Sequence, residues 1–251
     1  MISAVTLFSG FGLGTVLMPA FALFFPISLA IAATAIVHLA NNIFKLFLVG
    51  RFADRKLVLL FGIPAALCAA GGAWLLSYVS TLGVLVEYEF SGRHCEITVI
   101  GLIVGLLIGT FSLFELFPRL RDFRIKPKYM PVGGALSGFF GGLSGHQGTW
   151  RAAFLIRAGL DKKAYIATAV VCSVVVDVTR LTVYGYSFFT RHFELISDRA
   201  NQWLVIVGVL AAFAGSFGAA RFMEKVTMKQ VRLLVGIFLF AMAIGITAGI
   251  I

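Results

Sequence analysis

Six long apolar runs, each closed off by charge, limit what this chain can fold into more than any other feature. They fall at roughly 28–49, 57–80, 97–118, 162–187, 203–220 and 232–251. A helix crosses a bilayer core about 30 Å thick with roughly 20 apolar residues, so each run is long enough to span. Arg51, Asp54, Arg55 and Lys56 close the first run, Arg119 to Lys128 close the third, and Asp161, Lys162 and Lys163 open the fourth. Only 13% of the 251 residues are charged and 60% are hydrophobic, whereas a soluble domain carries roughly a quarter charged residues. An ordinary soluble enzyme is excluded, and no room remains for a large extramembrane domain. The expected fold is an all-α polytopic membrane protein.

The formal net charge is +10. In a polytopic membrane protein such an excess marks Lys and Arg left in cytoplasmic loops. No basic run interleaves with aromatics in a soluble segment, so nucleic acid is not an expected partner. Cys68 and Cys172 lie in apolar runs and Cys95 in a loop, which implies no disulfide framework. The first basic residue is Lys45, so residues 1–25 do not read as a cleaved signal peptide.

Two further stretches are apolar but glycine-rich. Residues 1–26 hold Gly10, Gly12, Gly14, Pro19 and Pro26; residues 131–160 hold Gly133, Gly134, Gly138, Gly141, Gly142, Gly145 and Gly148, then Arg151 and Arg157. Glycine costs about 1 kcal/mol in a helix interior, so each stretch reads as two half-helices around a break. The basic residues decide whether these stretches cross or turn back. If both are re-entrant hairpins, fifteen Lys and Arg near the spans fall on one side, including Arg51, Arg55, Lys56, Lys128, Arg157, Lys162 and Lys163. Only Arg93, Arg191 and Arg199 fall on the other. If both cross, the bias vanishes. The re-entrant reading satisfies the positive-inside rule, with basic loops in the cytoplasm, both termini outside and the chain in the cell membrane.

Each half is then one hairpin plus three spans: hairpin 1–26 with helices 28–49, 57–80 and 97–118 in repeat 1–128, and hairpin 131–160 with helices 162–187, 203–220 and 232–251 in repeat 129–251. An odd number of crossings inverts the second half, the usual architecture of secondary transporters. A shift of 135 residues without gaps supports the repeat. It sets Gly10 on Gly145, Ile31-Ala32 on Ile166-Ala167, Asn42 on Asp177 and Lys45 on Arg180.

The first full helix carries His38, Asn41, Asn42 and Lys45 on one face. Its counterpart carries Thr168, Ser173, Asp177, Arg180 and Tyr184, with Asp177 and Arg180 one turn apart and able to pair. Ionisable groups at membrane depth mark a functional path by default. The plainer readings are that Lys45 snorkels to the interface and that Asp177 and Arg180 form a static pair. The second hairpin reads Ser144-Gly145-His146-Gln147-Gly148-Thr149-Trp150-Arg151. A half-helix starting near Thr149 would turn its positive end to the break and favour an anion, with His146, Gln147 and Arg151 adding donors there. In the first hairpin, Gly10, Gly12 and Gly14 offer backbone donors without charge. Close helix packing is the alternative use of all these glycines.

Gly10-Phe-Gly12-Leu-Gly14-Thr-Val-Leu-Met-Pro19 resembles the glycine-rich first-helix signature of the sulfite exporter TauE/SafE family, also called the four-toluene-sulfonate uptake permeases. The second copy, Leu143-Ser-Gly145-His146-Gln147-Gly148 through Val176-Asp177-Val-Thr-Arg180, resembles a subgroup of that family. The likeness covers nearly the whole chain. It implies membrane export or uptake of sulfite, sulfonates or related small organic anions.

The leading expectation is a secondary transporter of small anions working by alternating access. The substrate-binding candidates are Lys45, Asn42, His146, Gln147, Arg151, Arg180, Gly10, Gly12, Gly14 and Gly145. Asp177 and His38 are the candidates for proton coupling. The alternative is an anion channel lined by the same residues. No catalytic residue, metal or cofactor is expected. His38 and Ser173 match in position, but no nucleophile-elbow motif accompanies them. No P-loop is present either, which excludes ATP-driven pumping by this chain alone. Gly101, Gly105 and Gly109 suit close helix contact, either within the chain or at a homodimer seam. Glu115 reads as a partner for Arg119 or as a proton carrier. Residues 84–96 alternate and turn at Ser91-Gly92, a short external hairpin.

Overall fold

The computed structural model describes residues 13–117, 127–189, 203, 206, 207, 210 and 228–251. Gly10, Gly12, Arg119 and nearly all of the span expected at 203–220 lie outside the described residues. The helices are α1 (Leu13–Ala22), α2 (Ile27–Val49), α3 (Arg55–Val79), α4 (Val99–Leu116), α5 (Met130–Ser144), α6 (Gln147–Leu155), α7 (Lys162–Phe189) and α8 (Met228–Thr247). Strands β1 (Val84–Phe90) and β2 (Arg93–Thr98) form an antiparallel hairpin between α3 and α4. Its turn uses positive φ at Ser91 and Gly92, at the expected place. Four helices, α2 (extended through Phe52), α3, α4 and α7 (to Tyr186), are long and apolar enough to cross a membrane. They present large apolar side chains outward, among them Phe47, Leu67, Trp74 and Leu106, a surface suited to lipid rather than water.

The glycines of α5 do not break it. The helix runs unbroken from Met130 to Ser144, and the chain bends only at Gly145, whose φ is +82°. The expectation that clustered glycine interrupts this stretch holds at that one residue. The others let α5 lie directly on α3. A Cβ on Gly134, Gly138 or Gly142 would collide with the backbone carbonyl of Phe61, Ala65 or Ala69, and one on Gly72 would strike that of Phe139. These pairings advance together along both chains, so α3 and α5 run parallel. The propensity cost of each glycine is offset by contact that no larger residue permits.

Past Gly145 the chain returns. Gly133 abuts the Phe154 ring, Gly141 abuts Gln147, and the Ser137 hydroxyl donates to the Gln147 carbonyl at 2.9 Å. α5 and α6 are therefore an antiparallel hairpin. At 1.5 Å per residue, its 15- and 9-residue arms are about 22 Å and 14 Å long. α6 starts at Gln147, two residues before the start expected near Thr149.

α2 and α7 pack antiparallel. His38 meets Asp177 near their middles, while at one end the Asp54 amide donates to the Thr168 hydroxyl at 2.9 Å. At that same end the Lys163 ammonium lies 5.6 Å from the Phe52 ring centroid. Because α3 starts there, α5 runs parallel to it and α6 returns, the basic residues Arg51, Arg55, Lys56, Lys128, Arg157, Lys162 and Lys163 gather at one end of the helices. α4 and α8 are also antiparallel: Gly101 faces Ile246, Gly105 faces Ala243 and Thr247, and Gly236 faces Glu115 and Leu116. The Gly101/Gly105/Gly109 stripe thus makes an intramolecular contact. The main core cluster spans α1, α2, α3, α4 and α8, with Met18, Ile31, Leu76, Ile108 and Leu239 fully buried.

Candidate functional site

Three short helical spacings bring the polar residues together. His38 and Asn42 are four apart on α2, Gln147 and Arg151 four apart on α6, and Asp177 and Arg180 three apart on α7. Each pair shares a face, and the three faces meet at Asp177.

Asp177 is wholly buried, and its two oxygens accept from all three helices. Oδ1 takes the Gln147 amide at 2.8 Å and the Arg180 guanidinium at 2.7 Å. Oδ2 takes His38 Nδ1–H at 2.6 Å and the Asn42 amide at 3.3 Å. A buried carboxylate is tolerated only when paired and fully hydrogen-bonded, and these four donors meet that requirement. Gln147 extends the network, since its Oε1 accepts from Arg151 at 3.1 Å.

The break in the second hairpin is held by the same helix. The last carbonyls of any α-helix lack intrahelical donors. At the end of α5 they receive side chains instead: Arg180 Nη1 donates to Gly141 at 3.0 Å, the Tyr184 hydroxyl donates to Gly142, and His146 Nδ1 donates to Ser144 at 3.0 Å. The negative end of α5 thus faces Arg180, the favourable arrangement for a cation. Gly145 is tight against that guanidinium, with its absent Cβ position 3.3 Å from Nη1.

Buried cations cluster here. Among the described residues, Lys45, Arg151 and Arg180 are buried close to the Asp177 carboxylate. Arg180 is balanced by Asp177 and the end of α5. Lys45, 7% exposed, makes no hydrogen bond or ion pair with any described residue. Among the described residues, the charge acting on its ammonium is that of Arg151, another cation. A buried ammonium without a counter-ion is strongly unfavourable.

Of the residues singled out from sequence, His38, Asn42, Gln147, Arg151, Asp177 and Arg180 form one connected network. Lys45 lies beside it and Gly145 supports it. His146 is wholly buried at the break but takes no part in the Asp177 bonds. Its ring stacks on Phe111 of α4, centroids 4.9 Å apart and planes 1° apart. Gly14 lies in the first turn of α1. Asp177 and Arg180 do pair, as their spacing implies.

Sequence reading assigned no role to the carbonyls of Gly141 and Gly142, to Tyr184 as their donor, or to Phe111 as the surface under His146. A usable signal existed for the first. A helix ending at Ser144 leaves bare carbonyls, and Arg180 and Tyr184 stand one turn apart on the helix that must cover them.

A family model described as sulfite exporter TauE/SafE matches residues 1–246. Neither a curated protein nor a solved structure matches the chain.

Proposed function

Because the chain belongs to the sulfite exporter TauE/SafE family, a family of membrane anion exporters, we propose that this multi-pass membrane protein is a secondary transporter. Its cargo is sulfite, a sulfonate or a related small organic anion, bound between α2, α6 and α7. The observation that carries this reading is the cluster of buried cations beside Asp177. Lys45 has no counter-anion among the described residues, Arg151 lies near it, and the first residue of α6, Gln147, bonds Asp177. A small anion supplies the missing charge.

Inverted repeats fit the packing. The 135-residue shift carries Ile27, the first residue of α2, onto Lys162, the first residue of α7, and it sets α4 on α8. Both pairs run antiparallel, as an axis in the membrane plane requires. Residues that such an axis equates touch only near the axis. Asn42 and Asp177, 135 apart, are hydrogen-bonded. Alternating access would then rock one repeat against the other around this point, with Asp177 and His38 carrying the coupling proton. The gathering of basic residues at one end supports a re-entrant second hairpin entered from the cytoplasm. The seal around Asp177 and Arg180, both without exposed surface, favours a carrier over an open channel.

The test is purified protein screened with sulfite, sulfate, thiosulfate, sulfoacetate and small carboxylates, read as thermal stabilisation, followed by counterflow in liposomes. A carrier gives saturable uptake accelerated by unlabelled anion on the other side. Current without saturation or counterflow indicates a channel, and no response to any anion defeats the transport reading.

A further inference from the structure

The carboxylate of Asp177 sits where an oxyanion would sit. Two oxygens on one centre take four donors from three helices, at 2.6, 2.7, 2.8 and 3.3 Å. The donors are an imidazole, a guanidinium and two amides, a set suited to sulfite, sulfonate or carboxylate. Two of these donors have another partner: Asn42 contacts the His38 ring, at 3.0 Å to Nδ1 and 3.4 Å to Nε2, and Arg180 donates to the Gly141 carbonyl at 3.0 Å. An anion brought to these donors therefore meets Asp177 already in place.

We propose that Asp177 is a tethered stand-in for the transported anion. Its carboxylate occupies the donors His38, Asn42, Gln147 and Arg180 in the empty protein and yields them to the substrate when it takes up a proton. The proposal rests on the anion-carrier reading and deepens it. The substrate headgroup must carry at least two acceptor oxygens on one atom, and its entry requires one proton. That proton goes to an Asp177 oxygen, turning an acceptor-only carboxylate into a neutral acid that no longer competes for Arg180. Release reverses the exchange: Asp177 loses the proton and retakes Arg180 as the anion departs. Anion and proton thereby bind together and leave together.

Among the described residues, the charged and titratable groups that bear on Asp177 are His38 from α2 (which also carries Lys45), Arg151 from α6, and Arg180 and Tyr184 from its own helix. Cys172 lies on α7 one turn earlier. Of the other helices packed on α7, α5 has no charged residue, and those of α3 are Arg55 and Lys56 in its first turn. Asp177 is the one carboxylate among these described groups, and it is the anionic competitor in the exchange.

The experiment measures affinity for sulfate, thiosulfate and methanesulfonate, whose charge does not change between mildly acidic and slightly alkaline pH. Wild-type affinity should rise as pH falls, by up to about tenfold per pH unit for one linked proton. Asp177→Asn should bind the same anion at least about tenfold tighter than wild type at neutral pH, with the pH slope flattened. The wild-type slope needs no variant and decides the matter if Asp177→Asn fails to fold. Affinity independent of pH in wild type overturns the proposal, as does a folded Asp177→Asn that binds equally or more weakly. Wild type that binds sulfite but none of the three probes also overturns it, because a site filled by a carboxylate accepts any anion presenting two such oxygens. In all these cases the carrier reading survives as long as some anion stabilises the wild type; if none does, that reading falls first.

Discussion

The two faces of the α5–α6 hairpin are built on opposite principles. One face lies against α3 through Gly134, Gly138 and Gly142, with backbone on backbone and no polar side chain between. The other meets α2 and α7 through Gln147, Arg151, Asp177 and Arg180, joined by charged and amide hydrogen bonds beside the apolar contacts of Phe154 and Val176. The first face holds one shape, since a packed seam of small residues has no second arrangement of equal quality. The second consists of donors that a different acceptor can satisfy. A carrier needs both: a rigid support and a site whose partners can be exchanged.

The largest expected effect lies on the rigid face. Gly138→Leu places a bulky side chain against the Ala65 carbonyl and should abolish recovery of monodisperse protein on size exclusion. Gly138→Ala, with a single methyl, should cost about 1–3 kcal/mol in a denaturation midpoint. Normal stability in the leucine variant would mean that α3 and α5 are not in contact.

On the polar face, Arg180→Ala should be destabilising by about 3–5 kcal/mol, because it strands the Asp177 carboxylate and bares the Gly141 carbonyl. Transport should be lost as well. Wild-type uptake in this variant would remove Arg180 from the site. Gln147→Leu should act less on folding and more on function. It cuts the link between Arg151 and Asp177 and should weaken anion affinity roughly ten- to a hundredfold, the range of a hydrogen bond to a charged group. Titration of the purified variant checks this.

Smaller effects belong to the margins. Gly145→Ala forces a Cβ into the left-handed region beside Arg180 and should cost about 1–2 kcal/mol. Tyr88→Phe removes the bond from the β1–β2 hairpin to the Ala248 carbonyl. It should cost about 0.5–1.5 kcal/mol and leave transport unchanged.

Much of this was legible in the residues. Hydropathy located the four helices long enough to span, because apolar length is a direct demand of the bilayer. The ionisable residues on α2 and α7 stood out because charge at such depth is costly, and helical spacing paired Asp177 with Arg180. Less legible was the use of each glycine. Gly138 and Gly145 look alike in sequence, yet one packs within a helix and the other turns the chain, a difference set by what lies opposite. The convergence of His38, Asn42 and Gln147 on one carboxylate was equally hidden, since it depends on how three helices pack.

Lys45 offers the most direct measurement. Lys45→Met replaces a buried ammonium that has no counter-anion among the described residues with an apolar chain of similar length. Without added anion, its melting temperature should exceed that of wild type, by about 1 kcal/mol or more in stability. The stabilisation that sulfite or its analogues give the wild type should disappear. A variant that melts lower than wild type and is still stabilised by the same anions would contradict an anion site beside Lys45.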